Sequence, residues 1–141
     1  MAARGSMVTY VLDSSAVLRY LHNQAGSERV ADIIKQHLAG DCGAIISAPH
    51  WGEIAGITRK LYGQREMEEV LSRLGAFGLR VIAADADRAV RAAMIQVRTG
   101  IPYVDSFGVE LAEQANCVLV TADFDFKPVS RDMSIEFLPA K

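Results

Sequence analysis

Cysteine is scarce in this sequence: Cys42 and Cys117 are the only two among 141 residues, they lie far apart, and neither sits in a Cys-x-x-Cys pair. That spacing removes a thiolate zinc site and points to reduced thiols in a cytoplasmic protein, with Cys117 a small apolar residue entering a strand. The three histidines, His22, His37 and His50, show no metal-ligand spacing and read as structural, His37 falling on the same helical pattern as Val30 and Ile34. No apolar run approaches the roughly 20 residues that cross a bilayer. The opening Met1 to Met7 lacks the apolar stretch of a signal peptide. Residues 1–6 read as a cloning remnant ahead of a native Met7, leaving 7–141 as the domain. Neither charge sign is in excess, with 15 Lys and Arg against 17 Asp and Glu and a net charge of −2. Nucleic-acid binders usually carry a basic surplus, so composition by itself argues against that class, and any such role rests on how the charges are distributed. There is no internal repeat, low-complexity segment or linker, as expected of one domain.

What the chain does have is a large apolar fraction, 50%, arranged in alternating strand and helix patterns. Val8 to Leu12 reads as a buried strand and Ala16 to Leu21 as a short helix. Ser27 is placed to cap a second helix with Val30, Ile33, Ile34, His37 and Leu38 on one face, closed by Gly40. Ala44 to Ser47 is a second strand. Pro49 suits the first turn of a third helix, where Ile54, Ile57 and Leu61 form an apolar stripe ended by Gly63. Met67, Val70, Leu71 and Leu74 mark a fourth helix, and Leu79 to Ala83 a third strand. Asp85 is placed to cap a fifth helix with Val90, Ala93, Met94 and Val97 inward. A sixth helix runs from about Val104 to Gln114, Cys117 to Thr121 is a central strand, and Ser134 to Leu138 an edge strand. The alternation predicts an α/β domain of three layers, α/β/α, around a mostly parallel sheet.

In such sheets ligands bind beyond the carboxyl ends of the strands. The first strand ends in Asp13, followed by Ser14 and Ser15. The apolar strand Cys117 to Thr121 runs into Asp123 and Asp125. The second strand leads into a helix carrying Glu53 about one turn in, and the sixth helix carries Asp105 in its first turn. Each has an ordinary alternative. Asp13 and Asp105 suit helix caps, Glu53 suits a solvated helix face, and Asp123 and Asp125 suit a turn. Taken jointly they are more specific. Two carboxylates about 5 Å apart at an effective dielectric near 20 repel by roughly 3 kcal/mol, so a cluster calls for protons or a cation. Oxygen ligands without sulfur or histidine select Mg²⁺ or Mn²⁺, the arrangement used for metal-assisted attack of water on a phosphodiester. Ser15 and Thr121 fit as donors that orient these carboxylates, or equally as a cap and a strand-end packing residue.

Four segments, Tyr10 to Leu21, Ile46 to Ile57, Gly100 to Ala112 and Cys117 to Phe126, together resemble the PIN domain family in their order along the chain. Among its members they are most similar to VapC-type toxins of toxin–antitoxin pairs. The resemblance spans about Met7 to Leu138. It implies a metal-dependent endoribonuclease leaving 5′-phosphate and 3′-hydroxyl ends. Asp13, Glu53, Asp105 and Asp123 match the family's acidic quartet, Ser15 and Thr121 its hydroxyl positions, Asp125 a frequent further acid and candidate metal ligand, and Phe126 a packing residue. Gln24 stands where a Glu is common and Ser106 where Ala is frequent, so Gln24 bears on substrate or partner contacts and not on metal ligation. The resemblance also implies a homodimer formed through helices outside the pocket. Its other implied partner is a small antitoxin whose tail carries Arg or Lys into the acids.

Basic residues that suit RNA phosphates are Arg59, Lys60 and Arg65, and on the fifth helix Arg88, Arg91 and Arg98, a solvated helix face being the alternative for both groups. Trp51 and Tyr103 suit base stacking or packing. Three competing functions remain from the sequence. One is a PIN fold kept as an RNA- or protein-binding module without catalysis. Another is a receiver-like Mg²⁺-binding signalling domain, against which stands the absence of paired acids at the first strand's tip. The last is a DNA- or flap-cleaving nuclease, which usually carries long insertions lacking here.

Overall fold

The computed structural model describes residues 7–140; the suggested cloning remnant at 1–6 lies outside the described residues. The elements follow the expected alternation: β1 (Thr9–Leu12), α1 (Ser14–Leu21), α2 (Ser27–Leu38), β2 (Gly43–Ser47), α3 (Ala48–Tyr62), α4 (Gln64–Ala76), β3 (Arg80–Ile82), α5 (Ala86–Thr99), α6 (Tyr103–Ala112), β4 (Cys117–Thr121), a 3-10 turn (Phe124–Val129) and β5 (Ile135–Phe137). The five strands form one sheet in the order β3-β2-β1-β4-β5, parallel throughout. β1 sits in the middle, Thr9 facing Gly43 on one side and Cys117 on the other.

Alternation along the central strands splits the core in two. Leu12, Ile46 and Val120 point to the layer that also buries Val17, Ile33, Ile54 and Leu74 from α1 to α4. Val11 and Leu119 point the other way, toward Ile95, Val109 and Phe126. Strands covered on both faces read as near-continuous apolar runs, as these do. α6 packs against β1, β2 and β4 and is buried from Ser106 to Ala112. α5 also packs on it, with Arg88 and Arg91 pairing with the buried Glu110 of α6. The Ser106 hydroxyl is satisfied inside the helix by the Pro102 carbonyl at 3.2 Å.

Several local expectations hold and some do not. Asp85 caps α5 by accepting from the Arg88 N–H at 2.9 Å, and Pro49 lies in the first turn of α3. Gly63, at φ 95°, separates α3 from α4. Ser27 is not the cap of α2; Gly26 holds that position at φ 90°, where a side chain would collide with Leu138. The apolar stripe of α5 faces outward, against the expectation, and that of α3 is divided between core and surface. On α3, Ile54 is buried but Ile57 and Leu61 are exposed, and on α5, Val90, Met94 and Val97 are exposed, Val97 to 80%. Ala92 and Ile95 face the core instead. Among the described residues no helix is long and apolar enough to cross a membrane.

Candidate metal centre

The order β3-β2-β1-β4-β5 makes β1 the point where successive connections part to opposite sides of the sheet. Such a switch point leaves a crevice at the carboxyl ends of the strands. Asp13 follows β1, Asp123 follows β4 after one intervening residue, Glu53 rides on α3 directly after β2, and Asp105 lies in the first turn of α6.

Asp13 is both a helix cap and a site residue. Its Oδ1 accepts from the Ala16 N–H at 2.9 Å and the Ser15 hydroxyl at 2.7 Å, and its Oδ2 accepts from the Thr121 hydroxyl at 2.5 Å. The two readings made from the sequence were therefore not exclusive. Burial pushes the Asp13 carboxyl above its ordinary pKa. The neighbouring His50 and the hydrogen bonds from Thr121, Ala16 and Ser15 act in the opposite direction. Desolvation disfavours the charged form of a carboxylate.

Two hydroxyls tie Asp13 to the end of β4. The Asp123 N–H donates to Thr121 Oγ1 at 2.9 Å, and the Ala122 N–H donates to Ser15 Oγ at 2.9 Å, while Ser15 Oγ lies 3.2 Å from Thr121 Oγ1. Asp123 caps the following 3-10 turn, accepting from the Asp125 N–H at 2.9 Å. Asp125 itself is exposed. Phe126 is buried in the second core, as a packing residue should be. On the other side, Ser14 donates its hydroxyl to Glu53 Oε1 at 2.7 Å.

Glu53 and Asp105 belong to a tighter group that includes His50, with ligand atoms all within 4.8 Å of one another. His50 Nε2 lies 3.1 Å from Asp105 Oδ1 and 4.0 Å from Glu53 Oε1. The imidazole is fully buried, whereas the side chains of Asp105 and Glu53 are 14% and 40% exposed. Sequence reasoning treated His50 as structural and passed over Ser14. One signal was available for His50: it precedes Glu53 by three positions on one helix, a spacing that puts both on the same face.

The chemistry of the donor set fits a hard divalent cation. Elsewhere, acids that turn inward have an arginine: Glu110 is held by Arg88 at 2.7 Å and Arg91 at 2.9 Å, and Glu136 by Arg29 at 2.6 Å. Among the described residues, neither lysine nor arginine pairs with Asp13, Glu53, Asp105 or Asp123. Carboxylates gathered without a basic partner suit Mg²⁺ or Mn²⁺.

The basic candidates divide in the same way. Arg88 and Arg91 are committed to Glu110, and Arg98 donates to Glu113 at 3.1 Å, so the α5 arginines are ion-paired within the chain. Arg59, Lys60 and Arg65 are exposed, Arg59 donating to Gln64 at 2.9 Å. Lys60 lies seven residues beyond Glu53, near the same face and about 10 Å further along the helix. Trp51 is partly buried against the first core. Tyr103 packs edge-on to Phe107 with centroids 5.0 Å apart.

A family model described as "PIN domain" matches residues 10–132. No curated protein sequence matches this chain. Among solved structures, DNA-bound VapBC from Salmonella typhimurium is similar over 93% of this chain and 98% of its own, with a TM-score of 0.69 and 17% identity. VapBC2 from Rickettsia felis, bound to a DNA fragment from its promoter, gives 0.71 and 16% over 92% and 98%. VapC20 from Mycobacterium tuberculosis, a Sarcin-Ricin loop cleaving toxin, gives 0.65 and 16% over 92% and 99%. The fold, the switch-point crevice and the match to the family model agree, and the chain belongs to the PIN domain family.

Proposed function

We propose that this protein is an Mg²⁺- or Mn²⁺-dependent endoribonuclease, a toxin of the VapC kind, acting on RNA in the cytoplasm and neutralised by a cognate antitoxin. The observation that carries the reading is the group of acids at the carboxyl ends of β1, β2 and β4 and the start of α6, cross-linked by hydroxyls and, among the described residues, without a lysine or arginine partner. The similarity in fold to VapC20, named for cleaving the Sarcin-Ricin loop, supports RNA as substrate.

In this reading Asp13, Asp105 and Asp123 would hold the cation together with the charge of Glu53, exposed Asp125 being a further candidate ligand, and Glu53 would also position the attacking water or take its proton. When bound, the ion lowers the pKa of water and offsets charge building on the phosphate. Thr121 and Ser15 fix the Asp13 carboxylate by hydrogen bonds to both of its oxygens. Asp105 lies in the first turn of α6, where the helix dipole attracts negative charge. Arg59, Lys60 and Arg65 contact the RNA backbone beyond the acids.

Two further surfaces support the partners. A groove of about 390 Å³ runs from Ser15 past Leu18, Gln24, Ile57 and Leu61 to Tyr62, and Ser15 bonds directly to Asp13. This groove takes the antitoxin tail, whose Arg or Lys competes with the metal for the same negative charge. Gln24 lies in its wall, which fits a partner-contact role for that position. The exposed Val90, Met94 and Val97 on α5 form the contact with a second copy.

Incubating the protein with total RNA and Mn²⁺ or Mg²⁺ tests the reading. Cleavage should disappear with EDTA and in Asp13→Asn, and cleavage that survives both would rule out the metal mechanism. Addition of the antitoxin should stop cleavage. A complex that stays fully active with the tail in the acidic crevice would rule out that mode of inhibition.

A further inference from the structure

We propose that His50 is a positioning residue: a neutral imidazole that donates its Nε2 proton to Asp105 and so sets the direction of that carboxylate, without itself ligating the metal. The use assigned to this bond rests on the metal-site reading above; the bond itself does not. The argument starts from proton counting in a closed pocket. Ser47 caps α3, its Oγ accepting from the His50 N–H at 3.2 Å. The same Oγ lies 3.2 Å from His50 Nδ1, and Ser47 and His50 are both buried. If Nδ1 carried the proton, Ser47 Oγ would accept twice and its own hydroxyl proton would be left without a partner. The unprotonated Nε2 would then face the Asp105 oxygen lone pair to lone pair at 3.1 Å. If instead Ser47 donates to Nδ1, the proton sits on Nε2 and each of the three contacts has one donor and one acceptor. Buried polar groups overwhelmingly adopt the paired arrangement.

Packing holds the ring in that orientation. A Cβ added at Gly108 on α6 would come within 3.1 Å of His50 Cε1, so the absence of a side chain at Gly108 leaves the slot that the imidazole fills. The ring bridges the first turn of α3 to the first turn of α6, the two elements that carry Glu53 and Asp105. Access separates positioning from ligation. The imidazole has no exposed surface while both carboxylates do, so a hydrated cation entering from solvent meets the acids and finds the ring behind them. Hydrogen-bonded partners of this kind orient metal-binding groups.

The test pairs spectroscopy with metal affinity. A long-range ¹H–¹⁵N spectrum of the metal-free protein should show His50 protonated at Nε2 and bare at Nδ1, and Mg²⁺ should leave the Nε2 proton in place. Calorimetry with Mn²⁺ should show His50→Leu binding about 10- to 100-fold more weakly, the usual cost of losing such a partner. His50→Gln, whose amide nitrogen supplies an N–H in the Nε2 position, should restore most of the affinity. Gly108→Ala, which touches no acid but crowds the ring, should weaken binding as well. An unprotonated Nε2 in the metal-free protein, or loss of its proton on adding Mg²⁺, would overturn the proposal, as would His50→Leu binding Mn²⁺ like wild type. Failure of His50→Gln to recover affinity while His50→Leu loses it would identify the ring as a ligand and also overturn it. A wild-type protein that keeps the Nε2 proton yet binds no Mn²⁺ would defeat the metal-site reading and with it the use assigned to His50, while leaving the hydrogen bond itself observed.

Discussion

Replacing Glu53 by Gln keeps the shape of the side chain and the acceptor for the Ser14 hydroxyl but removes one negative charge from the crevice. Glu53 and Asp105 present oxygens within 4.8 Å of each other. Two unit charges at that distance and an effective dielectric of about 20 repel by about 3.5 kcal/mol. The Glu53 side chain is 40% exposed, and solvent screening of that kind reduces the figure to about 1 kcal/mol. A chain of 141 residues unfolds with an entropy of about 0.3 kcal/mol per kelvin. Glu53→Gln should therefore melt about 3 °C above wild type in EDTA. Metal reverses the order. At a free Mn²⁺ concentration of about 100 times its Kd, linkage stabilises wild type by about 2.7 kcal/mol, a rise of about 9 °C. A variant weakened about 100-fold gains only about 0.4 kcal/mol at the same concentration. Thermal unfolding in EDTA and in Mn²⁺ gives all four numbers. A Glu53→Gln protein that melts below wild type in EDTA, or that keeps the full rise with Mn²⁺, would refute the reasoning.

Other consequences can be measured in the same preparations. Burial raises the Asp13 pKa above the ordinary 3.8, so the folded state holds that proton more tightly than the unfolded chain. The stabilisation this provides is complete below pH 3.8 and is lost as pH rises through the folded-state value; in EDTA, the stability of Asp13→Asn relative to wild type should increase over that window, as read by urea denaturation at several pH values. Glu110 is buried between two arginines, and the double variant Arg88→Met, Arg91→Met should lose about 3–5 kcal/mol by leaving the charge unpaired. RNA cleavage by that variant should persist at temperatures where it is folded, since those arginines are assigned to structure. Met94→Glu, on the exposed apolar face of α5, should convert a dimer to a monomer in sedimentation velocity.

The strands and the acids at their tips were legible because both are local. An apolar run ending in Asp is visible at Leu12–Asp13 and again where β4 runs into Asp123, and a parallel sheet brings such ends to one edge. The facing of α3 and α5 was not legible. Periodicity identifies Ile57 with Leu61, and Val90 with Met94 and Val97, as sharing a side of a helix, but the same pattern serves a helix packing on its own core and one offering a face to another molecule. His50 escaped for a different reason. Its partner Asp105 lies 55 residues away, and its pocket depends on Gly108 coming from α6, so its surroundings exist only once α3 and α6 are packed. The Arg88 and Arg91 side chains likewise looked available until the burial of Glu110 supplied their partner.

Cleavage of RNA in ¹⁸O-labelled water with Mn²⁺ tests the central claim most directly. Mass spectrometry should find one ¹⁸O in the new 5′-phosphate of the downstream fragment of each cut and a free 3′-hydroxyl on the upstream fragment, with no product when Asp105→Asn replaces wild type. Products ending in a 2′,3′-cyclic phosphate, or labelled products from Asp105→Asn, would contradict attack by water directed from these acids.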